Sequence, residues 1–190
     1  MTYRGNDFDV SSRFNTTDPK VVNDEVDRIY LDLYPAAPTK LLDHAFRDLT
    51  RLYRGEYPGY HPCDTAYHDV QHVLDVTLAM ARLIDGYERS RVGTEPFGDS
   101  LFRLGVITAL FHDMGYVREL KDHEHRNGAE YTLTHVSRGS VFLKDYLPRI
   151  GMAEMADIAA ELIHFTGYEI PVGKIDVPSP IYRLLGSMLG

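Results

Sequence analysis

The string TAYHDVQHVLDV, Thr65 to Val76, sets two histidines four residues apart and an aspartate three further on. On an α-helix, at about 100° per residue, His68, His72 and Asp75 share one face with Ala79, while Val73, Leu74, Leu78, Ala81 and Ile84 cover the opposite side. Such a strip either faces solvent or holds a ligand. A second cluster bears on the choice. Ser100 to Phe111, SLFRLGVITALF, is apolar on nearly every side and ends in His112 and Asp113, with Gly115 as the expected C-cap. An imidazole and a carboxylate at the end of a buried helix are costly unless they are paired or ligate a metal. KDHEHRNGAEYTL adds His123, Glu124 and His125 at the expected start of another helix, and ELIHFTGYE sets His164 near the end of a further one. Polar groups from several helices converging at one place is how helical bundles assemble metal sites.

The bulk of the chain suits this reading. At 190 residues and 44% hydrophobic it is long enough for one domain with its own core. The lone Cys63 cannot form an intrachain disulfide, which fits a reducing compartment, and a cytoplasmic location is expected. The longest strongly apolar stretch, Leu104 to Phe111, is too short for a membrane span. A formal charge of −8 argues against a nucleic-acid polymer as partner, because backbone binding needs clustered Lys and Arg. An anionic substrate would therefore need a local cation.

Punctuation and periodicity predict an all-α fold. Asp18 and Pro19 start a helix that Pro35 stops, and a second runs from Pro38 or Thr39 to about Tyr53. RGEYPGYHPCD reads as a loop. Further helices are expected over 66–87, 99–113, 123–135, 138–147 and 152–165, and a last one starts at Ser179 and Pro180. Residues 1–17 read as a polar N-terminal arm and 18–190 as a single helical domain. The final helix stops without a polar end signal, so the domain is expected to be cut short there. His44, His61 and His135 are assigned to packing or solvent.

YHDVQHVLDV closely resembles the Y-H-N-x-x-H-x-x-D-V signature of class I cyclic nucleotide phosphodiesterases, and FHDMGY resembles the H-D element of the HD-domain metal-dependent phosphohydrolases. The order of these motifs, followed by HEHRNGA and a further histidine-bearing helix, is similar to that superfamily over roughly residues 40 to 190. The resemblance implies an HD-domain, phosphodiesterase-like helical bundle. It makes His72, His112 and Asp113 ligands of one or two divalent ions (Mn, Mg, Zn, Fe, Ni or Co), with Asp113 bridging. His123 and His164 would serve a second ion or the phosphate, and His68 would be the general acid.

The implied activity is hydrolysis of a phosphomonoester or phosphodiester of a small molecule, with a nucleotide as leading candidate, and a homodimer is compatible with it. Two residues depart from the pattern. Asp69 stands where the phosphodiesterases have Asn, and the family's last ligand, a late Asp, is expected past Gly190. A di-iron oxygenase on the same frame and a non-catalytic metal-binding or sensing domain are the alternative readings.

Overall fold

The structure is a computed structural model that describes residues 7–190. Its first helix, α1 (Pro19–Leu33), opens where Asp18 turns extended and its side chain accepts from the Lys20 N–H, with Pro19 in the first turn. Val22, Val26, Ile29 and Tyr30 recur at helical spacing and are buried. The next helix, α2 (Lys40–Tyr53), buries Leu42, Ala45, Phe46, Leu49 and Leu52 on one side. The long α3 (Val70–Ser90) lies beside α4 (Gly98–Leu110), and α5 (His135–Arg149), α6 (Ala156–Leu162) and α7 (Pro180–Leu189) complete the set. Extended pairing among the described residues is confined to two isolated bridges, Phe8 with Asn15 and Tyr60 with Glu119. The architecture is all-α. No helix among the described residues is long and apolar enough to cross a membrane.

The pattern of α4 explains the layout. Every residue from Leu104 to Leu110 is buried, so the helix has no face left for water. It packs against α2, α3, α6 and α7. Each fully buried Leu or Ile there contributes about 1.5–3 kcal/mol, which makes this helix the centre of the packing with those four. The burial runs on without a break through His112 and Asp113 to Val117. The chain thus delivers its histidine and aspartate from the centre of the molecule outward.

The helix expected over 99–113 ends at Leu110 and that expected over 152–165 is α-helical only over Ala156–Leu162; three further differences bear on the site. The helix expected from residue 66 begins at Val70, because the Asp69 carboxylate caps it by accepting from the His72 N–H. His68 therefore sits in the turn before the helix and not on the strip with His72. The helix expected over 123–135 does not form. The Asp122 carboxylate accepts from the main-chain N–H groups of Glu124 and His125, bending that segment, and only a short 3-10 turn, Gly128–Tyr131, follows. Instead α5 starts three residues earlier than expected, at His135.

Over its described part the N-terminal arm is docked. Asp9, 2% exposed, accepts from the main-chain N–H groups of Ser11, Arg13 and Phe14 and pairs with Arg82 on α3 at 2.8 Å. Residues 1–6 lie outside the described residues.

The α1–α2 contact carries an unfavourable pair. Burial, followed by the nearby Asp43 and then Asp24, pushes the Asp27 carboxyl from 3.8 up to about 7. A carboxyl whose folded pKa exceeds its unfolded one binds more protons in the folded state across that interval. Its stabilising share is complete below about pH 4 and is lost as pH rises through 7. Asp27→Asn is therefore expected to unfold at a higher temperature than the wild type at pH 8. The advantage should shrink towards pH 5 in thermal melts, and a pH-independent difference would refute the assignment.

Candidate metal centre

Asp113 follows the end of α4 and is 2% exposed. Three imidazoles converge on one of its oxygens: Oδ2 lies 2.7 Å from His68 Nδ1, 3.2 Å from His112 Nε2 and 3.3 Å from His72 Nε2. His68, His72 and Asp113 each offer a ligand atom, all within 4.8 Å of one another, and such a group can hold a metal ion. His112 adds a fourth donor against the same oxygen.

The donor chemistry fits a cation. His112 Nδ1 is 2.8 Å from the Ala109 carbonyl, which can only accept, so Nδ1 carries a proton. In the neutral ring Nε2 then turns a lone pair towards a carboxylate oxygen, a repulsive contact unless something positive stands between them. Protonating all three imidazoles would relieve it but would crowd three like charges into a largely buried space. One divalent ion satisfies the nitrogens and the carboxylate together. The same neighbours perturb titration in its absence. Burial alone would raise the Asp113 carboxyl, but hydrogen bonds from His112, His72 and His68 in their protonated forms would more than reverse that and hold it well below the usual carboxylate range. The hydrogen bond to Asp113 raises His72 against the opposing effect of burial.

Each donor is positioned by local chemistry. His72 lies in the first turn of α3, where Asp69 fixes its main chain. His68 is held from two sides. Its carbonyl accepts from Thr65 Oγ1 at 2.9 Å, and its ring stacks on Tyr116 at 4.2 Å and 20°. Asp64 joins the loops around it, accepting from the Gly128 N–H at 2.7 Å and from Arg118 at 3.1 Å. Arg138 of α5 donates to the Gly115 and Val117 carbonyls.

Gly115, expected as a C-cap, lies in a 3-10 turn (Met114–Tyr116), and its lack of a side chain has another cause. A Cβ there would come 1.8 Å from the His135 carbonyl oxygen. The first residue of α5 can approach the Asp113 turn only because that atom is missing.

These residues floor a cavity of about 540 Å³. Beside His68, His72, His112 and Asp113, the lining includes Tyr116, Thr132, His135 and the segment Thr166–Glu169, with Leu133 and Tyr168 exposed at the mouth. The Glu169 carboxylate accepts from the main-chain N–H groups of Val136 and Ser137, capping α5 and tying this segment to it. His68, His72, His112 and Asp113 are thus brought together as anticipated, although the carboxylate that meets His68 and His72 is Asp113 and not Asp75.

His123 is not brought there. It is exposed in the loop bent by Asp122 and lines a separate cleft with Glu119 and Lys121. His164 is 7% exposed with Nδ1 unpartnered, and it is not among the residues lining the cavity. Tyr116, Thr132, His135 and Glu169 were not foreseen. The apolar spacing Val136, Gly139, Phe142, Leu143 and Tyr146 was the available signal for His135, since it carries α5 back to the residue beside Val136.

Comparison with known protein families, curated proteins and solved structures finds no match.

Gly115→Ala is expected to lower unfolding stability by about 2 kcal/mol or more, because the methyl meets main chain that cannot step aside. Urea denaturation measures this directly. An unchanged midpoint would contradict the close approach of α5 to the Asp113 turn.

Proposed function

We propose that the chain is a metal-dependent phosphohydrolase of the HD-domain type, acting on a phosphomonoester or phosphodiester of a small molecule such as a nucleotide. The observation that carries this is the meeting of three imidazole nitrogens at one buried carboxylate oxygen on the floor of a cavity. The motif resemblance of YHDVQHVLDV and FHDMGY supports the same reading. His72, His112 and Asp113 would hold one divalent ion from the group Mn, Mg, Zn, Fe, Ni and Co. Such an ion supplies Lewis acidity, lowering the pKa of water and neutralising phosphoryl oxygens as charge builds on them. In a chain of charge −8 it also offsets the repulsion that an anionic substrate would meet.

His68 is the proton donor in this scheme. Its Nδ1 lies against Asp113, so the carboxylate orients the ring, while Nε2 remains for the leaving oxygen. The Tyr116 stack fixes the plane in which that proton is offered. Asp113 has two tasks, holding the ion and orienting His68, and they explain why its burial is tolerated.

The test pairs metal analysis with a panel of phosphate mono- and diesters in the presence of each ion. Asp113→Ala and His72→Ala should lose bound metal and hydrolysis together. His68→Ala should keep the metal and lose hydrolysis by roughly 10²-fold or more. Loss of the ion from His68→Ala would make His68 a ligand and remove it as the acid, and wild-type protein that binds none of these ions would end the proposal.

A further inference from the structure

We infer that His135 is a substrate-contacting residue whose Nε2 accepts a hydrogen bond from a hydroxyl or N–H group on the part of the substrate remote from the metal cluster. The inference rests on the phosphohydrolase reading of the cavity and names a feature its substrate must carry.

The tautomer follows from one contact. His135 Nδ1 lies 2.9 Å from the Thr132 carbonyl oxygen, which can only accept, so the proton is on Nδ1. Burial holds the ring below the ordinary imidazole pKa, outweighing the opposite pull of its bond to Thr132 and of the nearby carboxylates Asp113 and Glu169. At neutral pH Nε2 is therefore a lone pair, and it has no hydrogen-bond partner among the described residues.

The ring is also fixed in direction. It stacks on Tyr116 at 4.2 Å and 18°, and Tyr116 stacks in turn on His68, so the three rings pack as one group in the cavity lining. Its backbone cannot drift, because the carbonyl abuts Gly115 and the following two N–H groups are held by Glu169.

The surroundings make this acceptor selective. The Thr132 hydroxyl is committed to the Ala129 carbonyl, and the Glu169 carboxylate is committed to the end of α5. Leu133 and Tyr168 supply apolar surface at the mouth. The His135 ring centre is 6.2 Å from that of His68, so one small substrate can reach both residues. A ligand that fills this space and brings a donor satisfies Nε2, whereas one that fills it with hydrocarbon leaves a polar atom unpaired. Sites built this way reject analogues lacking the donor far more strongly than they reject analogues differing by a methylene.

Two measurements test this. Long-range 1H–15N correlation spectra of the wild-type protein at neutral pH should show His135 as the Nδ1–H tautomer, and an Nε2–H or imidazolium form overturns the inference. Phenyl phosphate is then compared with the 2-, 3- and 4-hydroxyphenyl phosphates, which differ from it by a single donor. At least one isomer should be preferred roughly tenfold or more in kcat/KM. His135→Phe should abolish the preference, and His135→Gln, which keeps an acceptor, should retain part of it, both with unchanged metal content. A preference that survives in His135→Phe, or none in the wild type, overturns the inference while leaving the hydrolase reading intact. If no ester is hydrolysed, the same preference is read as a ratio of Kd by calorimetry on the zinc-loaded protein. A ratio lost in His135→Phe then upholds the donor contact and removes the hydrolase, and equal affinities remove both.

Discussion

A carboxylate charge at the end of an apolar helix has to be neutralised where it stands, and much of this structure answers that requirement. Moving Asp113 out to water would mean withdrawing the terminal turn of α4 from the core that fixes it. Three imidazoles gather around Asp113 instead, in an arrangement that could hold a cation. One imidazole follows directly from α4, one comes from the first turn of α3, and one from the bend just before it. Each is aimed by a main-chain contact of its own, through Ala109, Asp69 and Thr65.

Much of the frame was legible because its causes are local. Asp18 with Pro19 marks the start of α1, and the unbroken apolar run of Leu104–Leu110 marks a central helix, because hydrophobicity on all sides leaves burial as the only solution. His112 and Asp113 could be singled out because polar groups beside such a run are conspicuous, and His72 because helical spacing sets it with His68 and Asp75 apart from the apolar face. His68 was placed correctly in space for a partly mistaken reason: a helical wheel put it on the strip with His72, whereas Asp69 ends the helix between them.

What was not legible depends on contacts between segments distant in the chain. His123 was expected inward on helical spacing, but Asp122 competes for the main-chain N–H groups and turns the segment outward. Tyr116 looks like an ordinary core aromatic until His68 and His135 are both found stacked on it. Glu169 caps a helix that begins 34 residues before it, so no local pattern connects the two. The rest of the cavity lining is assembled from such pairings, which is why sequence reasoning found the His/Asp cluster and missed the residues around it.

The missing side chain at Gly115 joins the cluster to the start of α5. Where His135 abuts it, there is no slack for α5 to slide or tilt without pressing on the turn that carries Asp113. Variation among descendants of this chain is thereby channelled. New ligand preferences are most easily reached by exchanging side chains such as Leu133 and Tyr168 at the rim, while the backbone beneath them is inherited as a unit.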